Sequence, residues 1–410
     1  MKRIANDRLL FSINFNRVEY IMKKIFFLFS FLIIGLSLTI AQDFNLTGAG
    51  ARAEGLGGAF IGVADDATAI VWNPAGLTQL ERAEASVVTR FISEKVDYKF
   101  EDSSGPDNLS ESQSHFSFNF GSFAAPLSTG DVKIVAAVAF QRQLDMYSKD
   151  KAGTESKGGA NTITPGIAIT LGEMMSIGAS ANIWTGTWNS SINTPSAFDM
   201  NFTGFNFVIG GLIDFERKSN GFPLKAGVTM RTPFTLKGEV QNVPSSVTWE
   251  INMPFMIGFG GSYRVGDNLT LALDYEIRSY KDKQMTITSF EPITYSKHNL
   301  NEFRGGLEYL VVLETAVIPL RFGFKTVPTF ESDQLASDDG INYVYSDTDK
   351  QVTGSAFAIG SGFITNAFAF DITYSRATAT QKIDYSAYPS VTGSNELATG
   401  TLSTSVIIYF

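Results

Sequence analysis

The sequence of 410 residues has no cysteine, only two histidines and few charged residues, which make up 18% of the chain. The lack of cysteine excludes disulfide scaffolds, thiolate metal sites and thiol catalysis. The two histidines, His115 and His298, are too few for a multi-histidine metal site. The net charge of −9 and the lack of Lys/Arg clusters argue against a nucleic-acid partner. We therefore expect no metal ion and no nucleic acid.

Catalytic motifs are lacking as well. The sequence contains no HExxH, no GxSxG and no Walker loop. The glycine-rich stretch GLGGAF (residues 55–60) follows no strand pattern and precedes no Lys-Ser/Thr pair, which argues against a phosphate-binding loop. We therefore expect a protein without a cofactor and without a catalytic step.

The longest apolar run lies near the N-terminus. A short basic stretch from Met22 precedes apolar residues 25–40, and a small residue follows at Ala41. This order is typical of a secretory signal peptide, although about 17 apolar residues also approach the length of a membrane anchor. We predict a signal peptide over 22–41, preceded by a wrongly annotated upstream extension over 1–21. The chain after it would be exported.

The exported part alternates apolar and polar residues along short segments. From residue 205 to 215 every second residue is apolar or glycine, which places Phe205 and Phe207 on one face of a strand. The same period runs from Trp249 to Phe259, and we assign those two residues to a single face. Counting such runs from residue 83 to residue 410 gives about 14 strands. The sequence therefore predicts an all-β chain.

The connections between these strands alternate between short and long. Short ones lie near 126–131 and 172–174, whereas long polar ones lie near 101–114, 328–352 and 383–399. Short turns on one side and long loops on the other are expected of an outer-membrane barrel. A soluble all-β protein is the competing reading, but a barrel of about 14 strands is too wide to fill with side chains.

We therefore predict a transmembrane antiparallel β-barrel over 83–410, in the outer membrane of a Gram-negative bacterium. Its last strand alternates up to the terminal Phe410, as in barrels delivered to the outer-membrane insertion machinery. The expected partners are that machinery and outer-membrane lipid. Between the signal and the barrel, residues 42–82 do not alternate and are rich in small residues. We predict that they form a hatch in the lumen.

The N-terminal block resembles a known family. The stretches GLGGAF (55–60), ADDATA (64–69) and NPAGL (73–77) stand just before the first strand. In this order they resemble the FadL/TodX-type outer-membrane transporters of long-chain fatty acids and other hydrophobic compounds. The resemblance implies a 14-stranded barrel plugged by its N-terminal residues. It also implies that a hydrophobic ligand leaves sideways through a gap near the third strand, beside the motif Asn73, Pro74 and Ala75.

Candidate ligand-binding residues come from the hatch and from the lumen. Phe44 and Leu46 open the exported chain as apolar side chains that no strand can bury, and we assign them, with Phe60, to the ligand pocket. The two-residue alternation along the predicted strands also points several charged side chains toward the lumen. One reading is a mutually satisfied charge network, and the other is that a cation meets the carboxylate of a bound lipid. The candidate cations are Arg231, Arg304, Arg321 and Lys325.

The pattern and the resemblance together predict passive transport of hydrophobic small molecules, such as long-chain fatty acids, similar lipids or hydrocarbons. The alternative is an outer-membrane shuttle or interaction protein on the same scaffold, associated with protein secretion, whose long loops bind proteins. A general porin for polar solutes is disfavoured by the segment that fills the lumen. Apolar lumen surfaces would favour lipid transport, whereas a protein that co-purifies at fixed stoichiometry would favour the shuttle.

Overall fold

The computed structural model describes residues 49–102, 105–129, 132–149, 153, 155–191, 198–218, 221–241, 247–288, 290–338, 343–384 and 392–410. The upstream extension, the signal peptide and the candidate pocket residues Phe44 and Leu46 therefore lie outside the described residues. Within these ranges, no helix is both long enough and apolar enough to cross a membrane.

Strands dominate the chain, and several of them are interrupted once. Ahead of the first strand lie the helices α1 (Ala51–Gly55) and α2 (Ala69–Trp72) and a 3₁₀ turn, Pro74–Gln79. The barrel strands are β1 Glu84–Asp102, β2 Gly105–Thr129, β3 Lys133–Asp145, β4 Glu155–Leu171, β5 Met175–Thr185 and Thr187–Ser191, β6 Phe198–Asp214, β7 Leu224–Arg231 and Phe234–Gln241, β8 Val247–Met253 and Met256–Val265, β9 Leu269–Arg278 and Gln284–Ile287, β10 Leu300–Val312, β11 Val317–Asp338, β12 Tyr343–Ile364, β13 Phe368–Asp384 and β14 Thr392–Tyr409.

These strands close into a ring of antiparallel neighbours. Each strand pairs with the next along the chain, and β14 returns to β1 with Tyr409 opposite Glu84. Closure leaves no strand edge with unpaired backbone N–H and C=O groups. A β structure that crosses a membrane needs this, because lipid offers these groups no hydrogen-bond partners. The predicted 14-stranded antiparallel barrel is therefore confirmed. We call the end that holds Glu84 and Tyr409 the inner end and the opposite end the outer end.

The barrel wall is apolar outside and polar inside through its inner half. Along the first segment of β5, Ile177 and Ile183 are exposed, whereas Ser176 and Asn182 are buried. This is the alternation of a strand that faces lipid on one side and the lumen on the other. The exposed apolar side chains include Phe91, Phe118, Phe123, Ile163, Ile167, Phe205, Phe207, Phe259, Leu273, Phe303, Phe322, Phe357 and Ile359.

The long polar connections are only partly loops. Residues 101–114, predicted as a loop, continue the ladder of β1 and β2 up to the pair Asp102–Gly105. In the same way, most of 328–352 and part of 383–399 belong to β11–β12 and β13–β14. The loop predictions for these stretches are wrong because the strands continue past the apolar band. Beyond that band the outward face meets water, so strand residues no longer need an apolar outward face.

Strands β5, β7, β8 and β9 on one side of the barrel are interrupted, while β6 between two of them is continuous. Gly186, with φ 118°, splits β5, Thr232 and Pro233 split β7, and Pro254 and Phe255 split β8. Pro cannot donate to a ladder, and Gly adopts positive φ without strain. Beyond the breaks, the outer segments of β5 and β7–β9 and the outer part of β6 pair as a second small sheet.

One face assignment is corrected by the break in β8. The sequence pattern predicts one face for Trp249 and Phe259, and this prediction is wrong: Trp249 is buried on the lumen side and Phe259 is exposed on the lipid side. The interruption at Pro254 and Phe255 shifts the alternation by one residue. A shift of one residue moves a side chain to the opposite face of a strand.

The ring also yields a topology prediction. The turn at Gly266 joins β8 to β9 at the inner end, whereas Asp338 ends β11 at the outer end. Epitope tags inserted at these two positions should be accessible from opposite sides of the outer membrane. In intact cells, an impermeant antibody should label the tag at 338 and reach the tag at 266 only after permeabilisation. Equal labelling of both tags in intact cells would contradict this orientation.

Candidate functional site

Residues 49–80, which we call the lumen segment, fold ahead of β1 and pack inside the ring. The indole N–H of Trp72 donates to the carbonyl oxygen of Ala49 at 2.8 Å. The Phe60 ring meets the Trp72 ring edge-on, with their centroids 5.9 Å apart. Phe60 and Leu56 are fully buried. The lumen segment thus has an apolar core of its own, and the candidate pocket residue Phe60 belongs to this core.

Lumen-facing glycines bring the wall backbone against the lumen segment. A Cβ on Gly306 of β10 would overlap the backbone of Leu56, and one on Gly323 of β11 would overlap Gly57. Gly57 itself has φ 66°, in the left-handed region that favours glycine. Across the lumen, a Cβ on Gly178 of β5 would overlap the backbone of Pro74. The backbone of the lumen segment therefore contacts the backbone of the barrel wall on opposite sides of the ring.

The side chain of Asn73 ties the lumen segment to itself and to β6. Its Nδ2 donates to the carbonyl oxygens of Ile61 at 2.9 Å and Gly211 at 3.1 Å. Its Oδ1 accepts from the backbone N–H of Ala75 at 3.2 Å, which caps the following 3₁₀ turn. Asn73 is completely buried, so its three backbone partners rely on its side chain for these hydrogen bonds.

Replacing Asn73 should destabilise the barrel measurably. The Asn73→Ala variant leaves two carbonyl oxygens without this donor, and we expect a loss of about 1–3 kcal/mol in the free energy of unfolding. Asn73→Asp keeps the cap acceptor but loses both donors, and is expected to be no more stable than Asn73→Ala. Urea unfolding followed by heat-modifiable gel mobility measures both variants. If both variants unfold at the same urea concentration as the wild type, these hydrogen bonds contribute nothing to stability.

One group of buried and partly buried charges fastens the lumen segment to β10. The Arg52 guanidinium donates to Glu308 through Nε at 3.0 Å and Nη2 at 2.9 Å, and its Nη1 also pairs with Asp65. Arg321 of β11 contacts the same Glu308 carboxylate at 2.6 Å and Asp371 of β13 at 2.6 Å. Bidentate, desolvated pairs of this kind are geometrically specific. The candidate cation Arg321 is thus engaged by two wall carboxylates.

A second group of charges lies between β9 and β11. Arg304 contacts Glu302 at 3.1 Å and Glu276 at 3.3 Å, and its guanidinium carbon lies 5.5 Å from the Trp72 ring centroid. Glu302 also pairs with Arg278 at 2.6 Å and with Lys325 at 3.7 Å. The candidate cations Arg304 and Lys325 therefore already have carboxylate partners, which agrees with the network reading.

Arg231 differs from the other candidate cations. It is buried at 5% exposure, yet it makes no hydrogen bond or ion pair with any residue in the described ranges. It lies on β7 opposite Val208 of β6 and Met256 of β8. A buried charge without a partner is costly. Among the described residues, no carboxylate lies within ion-pair distance of Arg231, and Glu276 is the carboxylate that lines the same small cavity.

A polar cavity of about 130 Å³ lies beside the lumen segment. Its lining includes Gly58 and Trp72 of the lumen segment, Arg304 of β10, Lys325 of β11 and Asn119 of β2. Side chains of both charge signs line it. The cavity therefore joins the second charge group to the wall at β2 and β3.

At that wall the ladder between β2 and β3 ends early. The two strands pair from Thr129–Lys133 up to Phe120–Gln141. Further out, β2 pairs with β1 and β3 pairs with β4, and no β2–β3 backbone pair joins the described residues. We call this interruption the seam. Asn119 and Gln143, which border it, also line the polar cavity.

Side chains bridge the seam where the backbone does not. His115 Nε2 of β2 lies 3.2 Å from Asp145 Oδ2 of β3, and the His115 ring stacks on Tyr147 at a centroid distance of 4.3 Å. The backbone N–H of Lys149 donates to Gln113 Oε1 at 2.9 Å. Across the seam the described contacts are therefore made by side chains and not by a backbone ladder.

Beyond the breaks in β5, β7, β8 and β9 the lumen face becomes apolar. Trp188 contacts Phe198 and Trp249, with ring centroids 5.3 and 6.2 Å apart. On the outward face at this level, Lys237 pairs with Glu250 at 3.0 Å. The polarity of the wall is thus the reverse of that in the inner half. This outer apolar cluster consists of Trp184, Trp188, Phe198, Met200, Phe202, Phe234, Leu236, Val240, Trp249, Met253, Met285 and Ile287.

The sequence does carry a signal for this cluster. In β6 the apolar residues occupy even positions from Phe198 to Phe202 and odd positions from Phe205 onward, with the change at Gly204. Since the strand is continuous, the apolar face changes sides within it. This switch of the apolar residues between even and odd positions marks the level at which the outward face of the wall no longer contacts lipid.

No protein-family model matches this sequence. No curated protein sequence matches it either. Solved structures do match its fold. A Pseudomonas aeruginosa FadL homologue aligns with a TM-score of 0.62 over 88% of this chain and 98% of that chain, at 12% identity. The P. putida toluene transporter TodX aligns with a TM-score of 0.58 over 89% and 99%, also at 12% identity.

A third match is the CymD monoaromatic hydrocarbon channel, with a TM-score of 0.54, 12% identity and coverage of 90% and 99%. The chain has the barrel fold of these FadL-type structures.

In this FadL-type fold the motif residues lie away from the seam. Asn73 bonds to β6, and Pro74 lies against Gly178 of β5. The resemblance places the motif beside a gap at the third strand, whereas the seam follows Gln141 further out on that strand. At Ala136 the strand is paired on both sides, with Ala125 and Ile167. The small residues of β3 therefore lie where the wall is continuous.

Proposed function

We propose that this protein carries hydrophobic small molecules inward across the outer membrane by passive diffusion. The observation that carries the proposal is the outer apolar cluster. A lumen that served polar solutes would gain nothing from aromatic and Met side chains at its outer end. These side chains are packed together at the outer end of the lumen, and we propose that a hydrophobic ligand enters by inserting among them. The FadL-type fold supports the same function.

The route follows from the order of features along the barrel. A ligand that leaves the outer apolar cluster meets the polar cavity and, beneath it, the lumen segment. We propose that the lumen segment acts as a hatch, because backbone contacts and buried ion pairs hold it on opposite sides of the ring. With the axial route closed, the seam between β2 and β3 is the proposed lateral exit. No step of this route requires bond chemistry.

Uptake of a fluorescent fatty acid by cells that express each variant tests the proposal. Trp188→Gln and Trp249→Gln should each lower the uptake rate roughly tenfold, because each removes apolar surface equivalent to about 1.5–3 kcal/mol of ligand burial. Trp188→Phe should retain most of the uptake. The matched control is Phe205→Ala on the lipid face of β6. Normal uptake by both glutamine variants would contradict the role of the cluster.

A shuttle or interaction protein on the same scaffold is the second candidate. The observation that favours it is the length of the outer hairpins, since β11 and β12 remain paired as far as Asp338 and Tyr343. Such hairpins offer polar surface to a protein partner. Co-purification of one protein at fixed stoichiometry, together with unchanged fatty-acid uptake after disruption of the apolar cluster, would support this candidate.

A further inference from the structure

Asn119 and Gln143 lie on the two sides of the seam, and each is the extra residue of a β-bulge. The pairs of the β1–β2 ladder skip Asn119, and those of the β3–β4 ladder skip Gln143. A bulge re-aims a side chain away from the regular alternation of its strand. Asn119 is accordingly buried together with its neighbour Phe120, and Gln143 is buried as well. Both bulge side chains line the polar cavity.

The two side chains bring unpaired amide oxygens to this cavity. Asn119 is 4% exposed, and its Oδ1 accepts no hydrogen bond from any described residue. Gln143 donates through Nε2 to Gln141 Oε1 at 2.8 Å and to Thr162 Oγ1 at 3.3 Å, which fixes the orientation of its amide. Its Oε1 is buried without a donor in the described ranges. Since a buried acceptor without a partner costs free energy, both oxygens favour a ligand that donates a hydrogen bond.

The charged groups in the cavity lining point to a neutral ligand. Each cation of the lining has a carboxylate partner. The two cations from the second charge group contact Glu302. Arg90 pairs with Glu54, and Arg142 lies 3.6 Å from Asp145. A charged ligand would compete with these pairs, whereas a neutral donor would use oxygens that no pair occupies.

The size and the remaining lining of the cavity indicate what carries the donor. Its volume of about 130 Å³ is close to the roughly 150 Å³ of an engineered protein cavity that binds benzene. Ile92, Val327 and Ala358 give part of the lining an apolar character. One aromatic ring with one polar group therefore suits this space. We propose that Asn119 and Gln143 bind the hydroxyl of a neutral aromatic alcohol whose ring occupies the polar cavity.

This proposal rests on the proposed function and deepens it, because it names a class of substrate. The hydroxyl donates to one of the two amide oxygens at the edge of the seam, where the ligand would leave the lumen. An analogue of the same size without an O–H group leaves both oxygens unpaired. Asn119 and Gln143 are thus the residues that distinguish hydroxylated aromatic molecules from the corresponding hydrocarbons and ethers.

A binding comparison of three small aromatic ligands tests the proposal with the full exported chain in detergent. The ligands are 4-fluorophenol, 4-fluoroanisole and 4-fluorotoluene, of which only the first has a hydrogen-bond donor. At pH 7 a phenol keeps its proton, as the tyrosine side chain does. Fluorine NMR titrations, with protein-free detergent as the blank, give each dissociation constant. For the wild type we expect the phenol to bind roughly tenfold tighter than either analogue, because the analogues leave buried acceptors unpaired.

Variants at the two bulges should remove this preference. Asn119→Leu and Gln143→Met should each reduce it, and the double variant should abolish it. Because both changes roughly conserve volume, the affinity for 4-fluorotoluene should stay within about twofold of the wild type. Gln143→Glu retains an acceptor oxygen at the same position and should retain the preference. The matched control is Asn161→Leu, which removes a buried amide oxygen that also lacks a described partner but does not line the cavity; it should change no affinity.

Four results would count against the proposal. An unchanged preference in the double variant would overturn the assignment. Equal losses for all three ligands in that variant would also overturn it, because the two residues would then only support the wall. Equal affinities of the wild type for the three ligands, together with normal uptake of the fluorescent fatty acid, would overturn the hydroxyl selectivity alone and leave the proposed function intact. A wild type that binds none of the three ligands and takes up no fatty acid would contradict both.

Discussion

Removing the lumen segment should turn this barrel into an open pore. A ring of this width cannot be filled by wall side chains, so deletion of residues 49–80 should raise the permeability to small polar solutes roughly tenfold or more. The expected cause is the loss of the backbone contacts at Gly178, Gly306 and Gly323 together with the pairs of Arg52. Liposome swelling in a polar sugar or single-channel conductance measures the effect.

A point variant provides a second route to the same result. Gly323→Leu places a side chain where the backbone of Gly57 lies, so the lumen segment must shift while the barrel strands keep their sequence elsewhere. The matched control is Gly305→Leu, on the opposite face of the neighbouring strand, where a Cβ meets only side chains at 3.3 Å and beyond. If neither the deletion nor Gly323→Leu conducts better than the intact protein, the lumen segment does not act as a hatch.

Crosslinking the seam should nearly abolish uptake of a hydrophobic substrate. The natural sequence has no cysteine, so a pair introduced as His115→Cys and Asp145→Cys carries the only thiols. A bifunctional thiol reagent that joins them would hold β2 to β3 above Gln141, where described backbone pairs are lacking. Uptake should fall only after crosslinking, which separates closure of the seam from loss of the His115–Asp145 contact.

The control for the seam is a crosslink where the wall is already continuous. Ala125 and Ala136 are opposite each other in the β2–β3 ladder, so a disulfide between cysteines at these positions adds no closure. Uptake by this variant should equal that of the wild type under oxidising and reducing conditions. Uninterrupted uptake through a fully crosslinked seam would exclude it as the exit.

The sequence predicts the barrel well because its inner half obeys a local rule. Every strand there must face lipid on one side, so alternation such as that of Ile177 and Ser176 reveals the strand and its orientation. Where the strands pass beyond the lipid, that constraint ends. Polar stretches such as 101–114 therefore appear as loops although they pair into hairpins, and the break at Pro254 reverses a face assignment.

The site is less visible in the sequence because it depends on contacts across the ring. The two-residue alternation of the strands places Arg231, Arg304 and Arg321 in the lumen, but it does not distinguish these three cations from one another. Only the arrangement of β9 to β13 shows that Arg304 and Arg321 have carboxylate partners and that Arg231 does not. The seam is likewise a property of pairing between β2 and β3. The phase change at Gly204 is the one signal of the outer apolar cluster that the sequence offers by itself.

The central claim is that the barrel admits hydrophobic molecules and excludes polar ones. The most direct measurement compares entry of a radiolabelled long-chain fatty acid and of a small sugar into cells with and without the intact protein, under identical expression. The protein should accelerate entry of the fatty acid several-fold and leave entry of the sugar unchanged. Faster entry of the sugar with no change for the fatty acid would contradict the account and identify a pore for polar solutes.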